Sequence, residues 1–564
     1  MEKMHMRMVA VYAVIAIMLT IGALRVFSIS TGEAYTQAAQ QNSSYSLTVT
    51  QGRGSIYDCN LQHLTNFQDG YKAAVTADPQ TTTAFSKVLS DSQMQTMLDR
   101  IGEGKPFVQK VDEYIPGTKA LFFPNVTRYR EEDPLCPHII GYVDSDGKGV
   151  EGIEAAYDDW LGKAQGKSKV TFSVNAVGEA LAGVEPEVED TMSNLNSGVM
   201  LTIDKDIQDI AQKAARKYLE KGAVVVLDVR TGAVRASVSV PDFDPDNVQE
   251  ALNDEDSPLL NRTTSAYNVG SVFKLVTAAA ALENGISPDR TYDCTGSVDI
   301  YGVTFDCYHQ RTHGLQNMEG ALAQSCNAYY ITLGQEIGAK KLLDMTAKMG
   351  FGSGVTLCDG IQSASGTLPT LDTLKMPAAL ANFSFGQGEL MATPYQVASM
   401  VQCIASGGTL AKPYLVEGLV DSSGQLIEPT QQAQPVQVLS SETCDALRLM
   451  MAAPVEYGTG TGAKPTIGGA GGKTATAETG ILVDGEFVNQ TWFAGFFPYD
   501  NPQYAVAVLA EDSPKGSETS TPTFRAIADG VEQLMMRRGQ SDPALQDAVA
   551  VPKASEQEDA PPQD

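Results

Sequence analysis

Ser271 and Lys274 are the residues of this sequence with the clearest capacity for covalent chemistry. They stand three apart, directly after Asn268-Val-Gly270. The apolar run that follows predicts a helix with Ser271 at its start, and the spacing places Lys274 on the same face. A lysine desolvated in such a helix has a lowered pKa and can take the proton of the serine hydroxyl. The helix N-terminus also favours the developing alkoxide. The motif alone is weak, because a chain this long contains about one by chance.

Two later motifs supply further polar groups. In Ser325-Cys326-Asn327, a hydroxyl and an amide two apart can face one cleft from a loop between helices. Lys473-Thr474-Ala475-Thr476 follows a glycine-rich stretch and predicts a strand against which a substrate backbone can lie. No histidine is adjacent to Cys326, so we interpret it as a packed thiol rather than as a nucleophile.

In this order, the three motifs are the S-x-x-K, S-x-N and K-T-G set of penicillin-binding proteins and β-lactamases. Flanking phrases strengthen the match, and from about residue 20 to residue 538 the chain resembles class B penicillin-binding proteins. The phrases are Gly52-Arg-Gly-Ser-Ile-Tyr-Asp58, Leu201-Thr-Ile-Asp204, Asn261-Arg-Thr-Thr264, Ser384-Phe-Gly-Gln-Gly-Glu-Leu-Met-Ala-Thr-Pro394 and Trp492-Phe-Ala-Gly-Phe-Phe-Pro498. The resemblance implies a peptidoglycan D,D-transpeptidase that cross-links D-Ala-D-Ala stem peptides and is inhibited covalently by β-lactams.

The resemblance also implies catalytic roles for four residues. Ser271 attacks the carbonyl of the penultimate D-Ala, and Lys274 takes the proton of its hydroxyl. Ser325 relays a proton to the leaving D-Ala, and Asn327 positions the peptide and Lys274. An amine of a second stem peptide then resolves the acyl-enzyme.

Substrate binding is implied for the third motif. Lys473 and Thr474 hold the substrate carboxylate. The backbone N–H groups of Ser271 and Thr476 form the oxyanion hole.

Three sites depart from the family pattern. Val269 stands where the family usually has Pro, and Cys59 and Leu61 stand near the usual Arg and Gly. Most important, Ala475 replaces the usual Gly of K-T-G. Its methyl points near the cleft or behind the strand. We expect it either to be accommodated by a small shift of the strand or to obstruct bulky β-lactam substituents.

The three motifs lie in a domain whose sequence predicts strands near both of its ends and helices between them. This pattern predicts an α+β fold, an antiparallel sheet flanked by helices. The resemblance identifies it as the penicillin-binding and serine β-lactamase-like transpeptidase domain. The predicted strands are 223–229, 233–240, 491–497 and 504–509, and the predicted helices include 207–219, 272–283 and 522–536.

The N-terminus predicts a membrane anchor. Lys3 and Arg7 precede an apolar run over 8–24, about 26 Å of helix, which residues up to 29 can extend. A cleaved signal peptide is the alternative, although no small-x-small exit follows the run. The basic flank predicts a cytoplasmic N-terminus, with the catalytic domain outside the cell membrane.

These observations divide the chain into five predicted segments. They are a cytoplasmic end (1–7), a transmembrane anchor (8–29), an elongated mixed pedestal domain (30–197), the transpeptidase domain (198–540) and a disordered acidic tail (541–564). The net charge of -28 argues against nucleic acid as a partner. The resemblance implies that the pedestal docks partners, including a SEDS-family glycan polymerase.

Cys294 and Cys307 flank a predicted β-hairpin. A four-residue loop over 299–302 would place the two thiols opposite each other. An exported location permits a disulfide between them. The sequence is compatible with a Cys294–Cys307 disulfide and with two free thiols.

No metal or cofactor is expected. His309 and His313 stand four apart near Cys307, but the segment reads as a loop and no third ligand is evident. The glycine-rich stretch 458–462 lacks the Gly-Lys-Ser/Thr that completes a P-loop.

Proteins with three other functions carry the same motifs, and each is an alternative to the transpeptidase. Class A β-lactamases also need a glutamate that activates water, and no E-x-x-x-N occurs between Asn327 and Lys473. A D,D-carboxypeptidase would use water in place of the second amine. A non-catalytic β-lactam-binding scaffold or sensor is the remaining alternative.

Overall fold

The computed structural model describes residues 2–31, 43–130, 132–483, 486–511 and 517–539. The predicted acidic tail at 541–564 lies outside these residues.

The helices are α1 (Glu2–Thr31), α2 (Pro79–Phe85), α3 (Asp91–Gly102), α4 (Pro137–Ile140), α5 (Gly152–Ala156), α6 (Asp158–Lys163), α7 (Lys205–Tyr218), α8 (Val248–Ala251), α9 (Lys274–Glu283), α10 (Met318–Ala323), α11 (Asn327–Ile337), α12 (Ala339–Lys348), α13 (Pro377–Ser384), α14 (Pro394–Ala405), α15 (Ser441–Glu456) and α16 (Ser517–Arg537).

The strands are short outside three sheets, one with five strands and two with three. They are β1 (Ser44–Gly52), β2 (Ser55–Tyr57), β3 (Phe67–Val75), β4 (Phe107–Val111), β5 (Leu121–Thr127), β6 (Gly166–Ser173), β7 (Glu187–Asp190), β8 (Gly198–Leu201), β9 (Gly222–Asp228), β10 (Val234–Val240), β11 (Tyr267–Asn268), β12 (Tyr292–Cys294), β13 (Ser297–Ile300), β14 (Val303–Asp306), β15 (Gly314–Gln316), β16 (Thr356–Cys358), β17 (Ile361–Gln362), β18 (Met391–Ala392), β19 (Thr409–Leu410), β20 (Val416–Val420), β21 (Leu426–Pro429), β22 (Val436–Gln437), β23 (Gly471–Val483), β24 (Glu486–Phe497) and β25 (Tyr504–Ala510).

The chain forms two compact units that interleave along the sequence. The first contains residues 1–54, 66–128 and 163–196, and the second contains 55–65, 129–162 and 197–564. Two short pieces of the predicted pedestal therefore fold with the catalytic residues. One of them, β2, pairs in parallel with β8 of the same unit.

The first unit begins with α1, a helix of 30 residues. In the part of the chain that the structure describes, α1 is the one helix long and apolar enough to cross a membrane. The unit also contains two three-stranded sheets, β1-β6-β7 and β4-β3-β5. Each sheet buries apolar side chains, among them Phe85, Met97 and Phe107 beside the second sheet.

The second unit is built on a five-stranded antiparallel sheet in the order β10-β9-β25-β24-β23. Successive side chains of a strand point to opposite faces. In β9, Val225 and Leu227 enter the core that contains α9 and α14, while Val224 and Val226 enter the core that contains α7 and α16. Because both faces are covered, this strand is apolar throughout instead of alternating. The predicted α+β fold with helices on an antiparallel sheet is confirmed.

Helix boundaries follow local capping. The side chain of Asp204 accepts hydrogen bonds from the backbone N–H groups of Asp206 and Ile207, so α7 begins at Lys205. The closing helix α16 begins at Ser517, five residues before the predicted start at Pro522. Helix α9 ends at Glu283, and Gly285 follows with φ +79°.

The hairpin between Cys294 and Cys307 differs from the prediction. Ile300 pairs with Val303, so the loop has two residues, Tyr301 and Gly302, rather than four. Both have positive φ, as a type I′ turn requires. Cys294 lies outside this hairpin, on a strand that pairs with β15.

Candidate active site

The turn that carries Ser271 is fixed by two glycines. Residues 270–273 form a 3₁₀ turn that leads directly into α9. Gly270 has φ +63° and donates its N–H to the carbonyl of Gly386 at 2.9 Å. A Cβ on Gly386 would lie 2.0 Å from the carbonyl oxygen of Gly270, so only glycine fits there. Ser271 is half-buried and lies at the start of the helix, as the sequence predicts.

Lys274 brings the first two motifs together. Its side chain is fully buried, and its Nζ lies 3.0 Å from Ser271 Oγ. The same Nζ lies 3.1 Å from Ser325 Oγ, 2.8 Å from the Ser325 carbonyl and 2.7 Å from Asn327 Oδ1. Ser271, Lys274, Ser325 and Asn327 therefore form one connected hydrogen-bonded cluster.

Burial prepares Lys274 to act as a base. Desolvation lowers the pKa of Lys274 to about 8, although the nearby thiols of Cys326 and Cys307 raise it. The ring of Tyr330 lies beside the ammonium, with 5.8 Å from Nζ to its centroid. The neutral form of Lys274, which could accept the Ser271 proton, is therefore easier to reach than that of an exposed lysine.

The second motif occupies a strained turn. Ser325 has φ +55°, a left-handed conformation that is uncommon for residues other than glycine. Its neighbour Asn327 begins α11 and donates an N–H of its amide to the carbonyl of Asp306 at 3.0 Å. That hydrogen bond fixes the amide orientation, so the Asn327 oxygen faces Lys274.

The third motif lies on β23 at the edge of the large sheet. Lys473 is fully buried; its Nζ lies 3.0 Å from Ser325 Oγ and 2.7 Å from the carbonyl of Thr474. Burial, together with the charge of Lys274, keeps the pKa of Lys473 well below its usual range. The hydroxyl of Thr474 lies 2.7 Å from that of Thr459, whereas Thr476 is exposed to solvent.

Ala475 points toward the nucleophile turn. Its side chain is buried and belongs to the main core. A Cβ placed on Gly270 would lie 3.3 Å from the Ala475 methyl carbon and 3.1 Å from that of Ala477. The methyl is therefore buried against the turn that carries Ser271, on the same face of β23 as Lys473.

The sequence did not reveal several residues that complete the site. The glycine-rich stretch 458–462 supplies Thr459, and a distant loop supplies Gly386. The sequence showed no third ligand beside His309, His313 and Cys307, whereas the structure brings Cys294 and Cys326 next to His313 and Cys307. His309, the other candidate, is exposed.

Chemically, the arrangement is a serine nucleophile with an adjacent buried base and a second hydroxyl, Ser325, between two lysines. Such a chain of hydroxyl and amine groups can take a proton from one oxygen and deliver it to a leaving amine. It suits acyl transfer through a covalent acyl-enzyme.

Similarity to known proteins agrees with this chemistry. The family profile described as "Penicillin binding protein transpeptidase domain" matches residues 222–529. Stage V sporulation protein D of Bacillus subtilis is 32% identical over 67% of this chain, and the match spans 59% of that protein. Peptidoglycan D,D-transpeptidase PbpA of Mycolicibacterium smegmatis is 32% identical over 58% of this chain and 69% of its own length.

A solved structure extends the similarity to most of the chain. Penicillin binding protein 3 of Mycobacterium tuberculosis, in a crystal structure with ampicillin, is 26% identical, with a TM-score of 0.62. The match covers 88% of this chain and 98% of that one. With its Ser271–Lys274 pair on the expected fold, this chain belongs to the penicillin-binding protein transpeptidase family.

Proposed function

We propose that this protein is a serine-type peptidoglycan D,D-transpeptidase that acts through an acyl-enzyme on Ser271. The observation that carries the proposal is the buried Nζ of Lys274, 3.0 Å from Ser271 Oγ and 3.1 Å from Ser325 Oγ. The relative PbpA bears the name of this activity, and penicillin binding protein 3 of M. tuberculosis binds ampicillin. Ampicillin and other β-lactams should acylate Ser271 of this chain.

Acylation begins with proton transfer from Ser271 to neutral Lys274. Ser271 Oγ forms a bond to the carbonyl carbon of the penultimate D-Ala, and the carbonyl oxygen takes the negative charge. The backbone N–H groups of Ser271 and Thr476 stabilise that oxyanion. The C–N bond then breaks, and the leaving D-Ala amine receives the proton through Ser325.

Deacylation reverses the proton path. The amine of a second stem peptide attacks the ester carbonyl and gives its proton to Lys274 through Ser325. The ester bond to Ser271 then breaks as Lys274 returns a proton to Ser271 Oγ. Lys473 and Thr474 bind the terminal carboxylate, and Asn327 holds the peptide. The amine of Lys473 and the hydroxyl of Thr474 can each donate a hydrogen bond to that carboxylate.

We also propose a membrane orientation and a partner protein. The helix α1 is a single-pass anchor with residues 1–7 in the cytoplasm and the catalytic domain on the outer side. The part of the chain between the anchor and about residue 197 serves as a pedestal that docks a SEDS-family glycan polymerase. Co-purification of the full chain with such a polymerase, lost when residues 66–128 of the first unit are exchanged for an unrelated segment, tests the partner.

The experiment that tests the activity separates the three alternatives. Full-length protein is incubated with a D-Ala-D-Ala pentapeptide and an excess of an amine acceptor. A transpeptidase releases D-Ala and forms an amide to the acceptor. Release of D-Ala with hydrolysis alone indicates a carboxypeptidase, and no release, despite labelling by penicillin, indicates a scaffold or sensor. Either of these results contradicts the proposal.

A further inference from the structure

Three cysteines and a histidine converge beside the second catalytic motif. The Sγ atoms of Cys294, Cys307 and Cys326 and a ring nitrogen of His313 all lie within 4.8 Å of one another. The three cysteines are buried and His313 is half-buried. None of the four has a part in the acyl-transfer mechanism.

Backbone pairing and helix capping bring these four residues together from different parts of the chain. Cys294 ends β12 and pairs with Gly314, which places His313 next to it. The N–H of Cys307, just after β14, donates to the carbonyl of Gly296 at 2.8 Å. Cys326 is the N-cap of α11 and accepts a hydrogen bond from the N–H of Tyr329.

The separations suit a shared metal ion rather than a disulfide. Cys294 Sγ lies 3.7 Å from Cys307 Sγ and 3.4 Å from His313 Nδ1, and Cys307 Sγ lies 3.9 Å from Cys326 Sγ. A disulfide requires about 2.05 Å. Ligands about 2.3 Å (sulfur) and 2.0 Å (nitrogen) from one tetrahedral zinc ion are separated by about 3.5 to 3.8 Å.

The cluster is buried on the side of its three cysteines and partly open to solvent on the side of His313. The half-exposed ring of His313 leaves a path by which an ion can enter.

We propose that Cys294, Cys307, Cys326 and His313 form a tetrahedral zinc site. Three thiolates and one imidazole are a ligand set typical of closed structural zinc sites, and soft thiolates disfavour Mg²⁺ and Ca²⁺. With all four positions filled by protein, the ion has no open position for substrate. Its role is therefore to hold the backbone.

The segment that the zinc ion would hold is the turn that carries Ser325 and Asn327. Cys326 separates Ser325 from Asn327, and Ser325 has the strained φ of +55°. An ion bound to Cys326 ties this turn to β12 and to the end of the hairpin. Zinc thereby positions Ser325 and Asn327 against Lys274 without taking part in the reaction.

Metal content tests the site directly. Full-length protein purified in detergent under reducing conditions, without added metal, should contain one zinc per chain by mass spectrometry. After exchange with cobalt it should show the thiolate-to-metal charge-transfer and d–d bands of a tetrahedral sulfur-rich site. Cys294→Ala and His313→Ala should lose both signals. Cys444→Ala, a buried cysteine outside the cluster, is the matched control and should keep them.

Ser271→Ala should retain the zinc, so metal binding is measured independently of the proposed acyl transfer. Chelation should slow penicillin acylation of the parent several-fold, and added zinc should restore it. A reduced parent that takes up no zinc would overturn the site, as would a Cys294–Cys307 disulfide formed in its place. Acylation unchanged by complete chelation would overturn the positioning role.

Discussion

At the scale of single residues, the proposed role of Lys274 as the base predicts that acylation depends on pH. Burial lowers the pKa of Lys274 to about 8. Below that pKa it is an ammonium ion and cannot accept the Ser271 proton; above it the amine is free. The rate constant for penicillin acylation should therefore fall about tenfold per pH unit below the pKa and level off above it. Stopped-flow labelling with a fluorescent penicillin from neutral to alkaline pH measures this profile.

Other titratable groups near Lys274 also affect how the acylation rate depends on pH, but we attribute the main dependence to Lys274. Lys473 shares Ser325 with it, and Cys326, Cys307 and Tyr330 are its other titratable neighbours. Lys274→Met, similar in length but without a base, should remove acylation at every pH. A pH-independent rate in the parent, or acylation retained in the methionine variant, contradicts a lysine base.

Ala475 is also best tested at this scale. Because its methyl is buried between β23 and the Gly270 turn and not exposed to the cleft, Ala475→Gly should affect small and bulky β-lactams alike. The loss of side-chain packing and the added chain entropy should lower the stability by about 0.5 to 1 kcal/mol. Acylation rates with one small and one bulky drug, together with thermal unfolding, measure both effects.

Ala477→Gly is the matched control, since Ala477 has the same orientation two residues along the strand. A rate increase confined to the bulky drug, seen for Ala475→Gly and absent for Ala477→Gly, would show that the methyl faces the cleft instead.

At the scale of elements, the loop after α13 supports the nucleophile turn through Gly386. Gly386→Ala should destabilise the fold by more than the roughly 1 to 2 kcal/mol of a left-handed alanine, because its Cβ would clash with the Gly270 carbonyl. Acylation should slow as well, since the turn that carries Ser271 must shift. Chemical denaturation and labelling rates give the two readouts.

Gly388 offers a control in the same loop. It has φ +84°, but a Cβ there would meet nothing closer than 3.5 Å. Gly388→Ala should therefore carry only the conformational cost and leave the acylation rate unchanged. Equal acylation in both variants would refute a role for Gly386 in placing the turn.

The elements also show what sequence patterns can reveal. The apolar strand at 222–228, its partner and the hairpin near the C-terminus were predictable, because period and turn residues are local properties. So was the Ser271–Lys274 pair, since one helical turn fixes the spacing. The order of the three motifs then predicted the fold that brings them to one cleft.

The parts that could not be predicted depend on contacts between distant segments. The zinc ligands proposed here come from four elements, and only the pairing of β12 with β15 brings His313 to Cys294. The hairpin loop was mispredicted because Tyr301 adopts a positive φ, which is uncommon for tyrosine. Gly386 and Thr459 have no sequence pattern that links them to the residues they support.

At the scale of the whole molecule, α1 should keep the protein in the membrane. The full chain should stay in the membrane pellet after alkaline extraction and retain its N-terminal residues, because an apolar helix of this length partitions into the bilayer. Intact mass of the extracted protein checks the N-terminus. A shortened product in the soluble fraction would show that the segment is a cleaved signal peptide.

The central claim, that Ser271 is the acylated nucleophile, is tested most directly by mapping a penicillin adduct on the full-length protein. Mass spectrometry of the labelled protein should show the mass of one intact penicillin, and peptide mapping should place it on Ser271. Ser271→Ala should show no adduct while its thermal unfolding matches the parent. An adduct on another residue, or labelling that persists in a folded Ser271→Ala variant, would contradict the account.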